Sequence, residues 1–328
     1  QRPPGEQLIL FGRLAAEAGT AAGSGNDCVV SGHGLILSYR ASPAQPHTRR
    51  RINVMHATAH TRPAAVAGMF YPGSATALAH DVRQMLADSA PPAATRGQHV
   101  KAIIAPHAGY IYSGPIAASV YAPLAEAGAG IRRVVLLGPT HRVAVNGLAL
   151  PAASAFATPL GVVPVDQQAV AAIAHLPQVV VSDAAHAAEH SLEVQLPFLQ
   201  TVLGDFGLLP LAVGRASAAQ VAEVLECLWG GDETLLVVSS DLSHYLPYDT
   251  ARATDGDTAR HIVALDAHID HQQACGATPV NGLLLAARRH GLRARLIDLR
   301  NSGDTAGDRS RVVGYGAFCF SEEAASAH

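Results

Sequence analysis

The stretch KAIIAPHAGYIYSGP, residues 101–115, is an apolar run that stops at a proline and a histidine and passes into small and aromatic residues broken by two glycines. With Val100 in front of it, the run reads as a buried strand, Val100–Ala105, followed by a tight turn and a helical segment. The same pattern recurs along the chain. Runs at Arg132–Leu137, Leu208–Val213, Thr234–Ser239, Ala294–Leu299 and Val312–Phe320 read as further strands. Helical candidates separate most of them: Ala75–Ala87, Pro115–Ala127, Asp166–His175, His190–Leu203, Ser217–Leu228, Asp255–Ala267 and Asn281–His290, with Gly or Pro at most junctions. This alternation predicts a single α/β domain with a largely parallel central sheet flanked by helices.

Composition agrees with that architecture. Of 328 residues, 49% are hydrophobic and 15% charged, which is enough apolar material for a sizeable core and excludes a wholly disordered chain. Lys and Arg number 23 against 26 Asp and Glu, and no basic stripe is interleaved with aromatics, so nucleic acid is not an expected partner. No uncharged apolar run reaches the roughly 18 residues of a membrane span, and no leader pattern is present. The four cysteines, Cys28, Cys227, Cys275 and Cys319, are too few and scattered for a disulfide framework. These features lead to the expectation of a cytoplasmic protein with reduced thiols and no membrane association.

Residues 1–54 differ from the rest. They are rich in Gly and Pro, and SPAQPHTRRR (42–51) carries no hydrophobic periodicity. The expectation is a disordered or non-native extension at 1–54, with the domain occupying 55–328 and Met55 its natural start. A small hairpin over Cys28–Tyr39 is the competing reading.

Seventeen histidines stand out in a chain otherwise poor in polar residues. Three strand runs end in one: His107 after the first, His141 in RRVVLLGPTH (132–141), and His244 in LLVVSSDLSHY (235–245), where Asp241 precedes it. A lone strand-end histidine is usually a hydrogen-bonded structural residue. Three at equivalent ends point to a shared site, because open α/β sheets bind ligands beyond the carboxyl ends of their strands. The segment DAAHAAEHSLEVQLPF (183–198) adds Glu189, His190 and Glu193 at the expected start of a helix, with the two glutamates on one face. His186 to His190 also spells H-x-x-E-H, the string of a family of zinc peptidases. Cys275, beside Gly276 in a turn between two expected helices, is a candidate thiolate ligand or nucleophile. Imidazole, carboxylate and thiolate donors from separate strand ends suit iron, copper or zinc rather than Mg²⁺ or Ca²⁺. No dinucleotide fingerprint, P-loop or nucleophile elbow competes.

Taken as a set, RPAAVAGMFYPG (62–73), APHAGYIYSGP (105–115), LLGPTH (136–141), EHSLEVQLPF (189–198), SSDLSHY (239–245) and ACGATPVNG (274–282) resemble the Memo family, known in prokaryotes as the AmmeMemoRadiSam system protein B. The likeness runs from about residue 62 to 320. It implies a fold similar to the class III extradiol ring-cleaving dioxygenases, which use non-haem iron. Carried over by motif, it implies metal ligands at His107, His141 and Cys275, with His190, Asp241 and His244 lining the same pocket; these three and Glu189 are the candidate catalytic groups. The dioxygenases complete their site with two His and a carboxylate, so a cysteine third ligand departs from their pattern. The resemblance also implies a functional association with a radical SAM protein and an AMMECR-type protein.

Three functions follow as expectations. The first is an iron- or copper-dependent redox or dioxygenase-like enzyme, zinc being the less favoured metal, with Asp241 fixing a histidine tautomer. The second is a non-catalytic metal- or ligand-binding module, and the third is a metal-dependent hydrolase using Glu189 or Glu193 as base.

Overall fold

Twelve strands lie among the described residues, 60–89 and 99–322 of a computed structural model. The expected extension at 1–54, the Cys28–Tyr39 hairpin and Met55 lie outside them. The strands are β1 (Thr61–Arg62), β2 (Val100–Ala105), β3 (Arg133–Pro139), β4 (Leu148–Leu150), β5 (Ala155–Thr158), β6 (Gly161–Pro164), β7 (Val179–Val181), β8 (Gly207–Val213), β9 (Thr234–Ser239), β10 (His244–Leu246), β11 (Arg293–Asn301) and β12 (Val312–Ser321). β1, β5 and β6 form a small separate sheet. The others make one large sheet in the order β10-β12-β2-β9-β3-β8-β4-β7, with β11 paired to β12.

The centre of that sheet, β2-β9-β3-β8, is parallel throughout. Its flanks are mixed: β12 runs antiparallel to β2, and β4 antiparallel to β8. The fold is therefore α/β, as the alternation predicts, with a parallel core and antiparallel pairing on either side. Every residue of β2 and β9 is buried, because central strands covered on both faces need an unbroken apolar run rather than an alternating one. This is why these two strands coincide end for end with the runs in the sequence.

Helices α1 (Ala75–Asp88), α2 (Tyr110–Tyr121), α3 (Gln167–Ile173), α4 (Asp183–Ala187), α5 (Leu196–Leu203), α6 (Ala218–Leu228), α7 (Tyr248–Val263) and α8 (Ala277–Arg289) surround the sheet, with short turns at Leu124–Ala127 and Ser302–Thr305. α6 and α8 pack against each other at close range. A Cβ on Gly282 would stand 2.3 Å from Val221 Cγ1, so only glycine permits that approach.

Helix limits depart from the sequence in three informative places. α2 begins at Tyr110 behind Gly109, five residues before the proline expected to open it. α7 starts at Tyr248, just after Pro247, and stops before Leu265, whose φ of 55° cannot continue a helix. The helix expected over His190–Leu203 does not form as one piece. A loop carries Glu189 to Leu192, Glu193–Gln195 makes one 3₁₀ turn, and α5 begins only at Leu196. The Glu189 carboxylate accepts the amides of His190 and Ser191, each at 2.9 Å, and this local bonding competes with helix formation. Among the described residues no helix is long and apolar enough to cross a membrane.

Candidate metal centre

β2, β9 and β3 are adjacent and parallel, so their carboxyl ends lie side by side. His107 stands two residues beyond the end of β2, Asp241 two beyond β9, and His141 two beyond β3. The loop 188–192 brings His190 to the same edge. Ring centroids are 5.2 Å apart for His107 and His141, 5.4 Å for His107 and His190, and 4.6 Å for His141 and His190. One nitrogen from each of the three imidazoles lies within 4.8 Å of the others. Cys275 joins from the turn before α8, its Sγ 3.3 Å from His107 Nε2.

Hydrogen bonding fixes which ring atoms face inward. The Ser239 hydroxyl has one proton, donated to the Ser191 carbonyl at 2.6 Å, because a carbonyl can only accept. Gln195 Nε2 donates to the same hydroxyl at 2.8 Å. The remaining partner, His107 Nδ1 at 2.9 Å, must therefore donate as well, which leaves Nε2 as the ring atom that faces Cys275. At His141, Nδ1 lies 2.9 Å from Glu189 Oε1, and a carboxylate only accepts, so Nε2 is the ring atom left for the Cys275 side. The same Glu189 oxygen lies 3.2 Å from His190 Nδ1. A single buried carboxylate thus stands behind two of the three rings.

The electrostatics follow from this packing. Burial opposes ionisation of Glu189, yet its hydrogen bonds from His141 and the neighbouring imidazoles hold the carboxyl well below the ordinary range. Burial likewise opposes a charge on His141, but contacts with Cys275 and Glu189 raise it above a normal histidine. Burial would push the Cys275 thiol up; His107, together with a hydrogen bond from His141, brings it down instead. His190 is driven the other way, by burial and then by the neighbouring histidines, and stays neutral.

The donor set fits a first-row transition metal. Three imidazole nitrogens lie within 4.8 Å of one another with the Cys275 sulfur beside them, and each of His107 and His141 is held on its far nitrogen by a hydrogen-bond partner, the usual support for a ligating histidine. No carboxylate oxygen belongs to the cluster. Glu189 lies behind the rings, and Asp241 accepts the main-chain amide of His107 at 2.7 Å rather than any imidazole, so the tautomer of His107 is set by Ser239. Burial raises the Asp241 carboxyl above its usual range. His244 donates Nδ1–H to the Leu242 carbonyl at 2.8 Å, which leaves Nε2 as an acceptor, and burial lowers its pKa. Its neighbour Tyr245 has a φ of 59°, an uncommon backbone state for a bulky residue.

Two other sequence readings resolve differently. His186 sits on α4, is buried, and bonds through Nε2 to the Ala149 carbonyl at 2.9 Å, with Phe156 edge-on to its ring. Only His190 of the H-x-x-E-H string reaches the cluster, so the two-histidine helical turn of a peptidase is not formed. Glu193, considered as a base, is fully occupied. Its oxygens accept from Arg62 at 2.6 Å, from the Tyr71 hydroxyl at 2.6 Å, and from the amides of Ala65 and Val66 at 2.8 and 3.0 Å. It ties the segment 62–71 to the site loop.

The sequence of the Memo-like protein family matches residues 62–319, which takes in both the strand-end histidines and Cys275. The chain belongs to that family. A MEMO1 family protein of Ignicoccus hospitalis is 37% identical over 79% of this chain and 98% of its own length. One from Methanopyrus kandleri is 36% identical over 79% of this chain and 98% of its own. The crystal structure of an uncharacterized protein from Escherichia coli K12 covers 66% of the chain at 15% identity with a TM-score of 0.41. Within the Memo-like frame, the residues that sequence reasoning missed are the supports: Ser239, Gln195 and Arg62. Ser239 was visible as the first serine of SSDLSHY. Gln195 and Arg62 gave no local signal, since each matters through partners far away in the chain.

Proposed function

We propose that this Memo-like protein binds iron or copper at the strand-end cluster and is a redox or dioxygenase-like enzyme. The observation that supports it is the convergence of three imidazole nitrogens within 4.8 Å, with Cys275 Sγ 3.3 Å from His107 Nε2. His107 and His141 are the two ligands common to every arrangement. Cys275 is the third on family likeness and on its contact with His107. His190 is the alternative third ligand, favoured by its place in the nitrogen cluster.

When bound, a metal of this kind supplies activation of dioxygen or of a coordinated substrate oxygen. The chain's own residues do the rest. Ser239 and Glu189 hold His107 and His141 with their Nε2 atoms inward. His244, neutral and with Nε2 as an acceptor, can take a proton from a substrate hydroxyl. The hydrolase reading is less well supported, because both glutamates available as bases have their oxygens engaged by several donors.

Elemental analysis of anaerobically purified protein, followed by oxygen uptake with catechols and with thiols, tests the proposal. Iron or copper together with oxygen-dependent turnover supports it. A zinc-only protein inert toward dioxygen overturns it in favour of hydrolysis. Metal without turnover of any kind favours a binding module.

A further inference from the structure

A cavity of about 410 Å³ opens beside the cluster, and His141 and Cys275 form part of its wall. Its remaining lining comes from the end of β3, the end of β8 and the residues just after it, the segment 144–146, His271 and the first turn of α8. Apolar groups such as Val145, Val213 and Pro279 make up much of the surface. Among the described residues no Asp or Glu contributes to it, whereas Arg215 does. Arg215 is exposed, and its guanidinium makes no hydrogen bond or ion pair with any described residue; its main chain is fixed by an amide bond to the Val145 carbonyl at 2.7 Å. A guanidinium with no partner among the described residues, on the wall of a cavity of mixed polarity that no described acidic group lines, can hold an anionic ligand by a two-pronged contact. Thr278, which bonds His271 Nε2 at 3.3 Å, lies in the first turn of a 13-residue helix, so the helix dipole adds positive potential on the same wall.

We propose that this cavity is a substrate pocket for a small organic carboxylate, with the carboxylate held by Arg215 and the apolar body directed toward His141 and Cys275. A carboxylate suits the site better than a phosphate, because one guanidinium matches one planar monoanion and no second arginine or lysine among the described residues lines the cavity. As a substrate assignment this rests on the metal-centre reading, but the binding itself does not.

The test compares two alkylating reagents of equal size on the full-length chain stripped of metal with chelator: iodoacetate, an anion, and iodoacetamide, which is neutral. With either, the Cys275 sulfur forms a bond to the methylene carbon, the carbon–iodine bond breaks and iodide leaves. The ratio of the two rates at Cys275 cancels differences in thiol ionisation, and the exposed Cys227 serves as reference. Wild type should favour iodoacetate over iodoacetamide by roughly tenfold more than Arg215→Gln does, the low end of charge-steered rate effects. Arg215→Lys should be intermediate. Benzoate should protect Cys275 in wild type and not in Arg215→Gln. An unchanged ratio in Arg215→Gln, or no protection by benzoate, overturns the proposal; stronger protection by phenyl phosphate than by benzoate overturns the choice of carboxylate. Metal content is measured separately on untreated protein, so charge selectivity at Cys275 in a protein that never holds iron or copper would retain the pocket and reject the metal-centre reading.

Discussion

Glu189 grips His141 twice: its Oε2 accepts the His141 amide at 2.6 Å and its Oε1 accepts the ring Nδ1 at 2.9 Å. Backbone and side chain of one proposed ligand are thus placed by one carboxylate, buried and itself anchored by the amides of His190 and Ser191. Glu189→Gln keeps the shape but turns one acceptor into a donor facing donors. Metal affinity should fall by about 10- to 100-fold, the usual cost of losing the partner behind a ligating histidine. Chelator competition monitored on the folded protein measures it, and an unchanged dissociation constant would show that His141 does not depend on Glu189.

The ligands themselves can be tested directly. His107→Ala or His141→Ala should lower metal occupancy by at least roughly tenfold, since each follows its own strand and is common to every ligand arrangement the cluster offers. Full iron or copper in both variants would place the site elsewhere.

How much of this could be read from the sequence depends on how local the cause is. β2 and β9 were legible end for end because burial on both faces demands an uninterrupted apolar run. His107 and His141 were legible because each stands just past such a run. The short strands β4 to β7 were not: with three or four residues each, they are defined by distant partners, as Leu148–Leu150 is by Val179–Val181. The antiparallel flanks were hidden for a similar reason, since strand direction leaves no mark on composition. Glu193 looked like a base on a helix face until Arg62, 131 residues away, was placed against it.

That ion pair makes a stability prediction. Arg62 and Glu193 are almost fully buried, and Arg62 also donates to the His186 and Glu189 carbonyls, each at 2.7 Å. Glu193→Gln leaves the guanidinium short of its counter-charge, which should cost about 3–5 kcal/mol in urea unfolding. A loss below about 1 kcal/mol would mean that the segment 62–71 is held by other contacts.

His186 gives a pH dependence with a defined sign. Burial, offset in part by its bond to the Ala149 carbonyl, lowers its pKa from 6.5 to about 4. The unfolded chain therefore takes up a proton before the folded one does, and stability falls as pH drops from about 6.5 toward 4. Between pH 7 and pH 5 the contribution of this residue should be a loss of about 2 kcal/mol by linkage. His186→Gln has no such proton to take up and should flatten that part of the pH profile. If wild type and variant show the same slope between pH 7 and 5, another group carries it.

Cys275 separates the metal chemistries. A thiolate favours Cu(I) or zinc, whereas the two-histidine, one-carboxylate arrangement belongs to non-haem iron enzymes that activate oxygen. The cluster has the two histidines, but Glu189 and Asp241 bond to protein donors and leave no carboxylate at its centre. Cys275→Asp would supply the missing oxygen donor at the place where Sγ now lies 3.3 Å from His107 Nε2. Iron should then be retained in preference to copper in competitive loading, with the ratio of bound iron to copper rising by roughly tenfold or more over wild type. Cys275→Ser is the control, since it removes the thiolate without adding a charge and should lower copper binding while gaining no iron. The buried Cys319, whose thiol is raised by its burial, should be indifferent to metal in alkylation experiments where Cys275 is protected by it. If Cys275→Asp and Cys275→Ser load iron and copper in the wild-type ratio, the sulfur is not a ligand. His190, whose nitrogen lies within 4.8 Å of those of His107 and His141, then becomes the third.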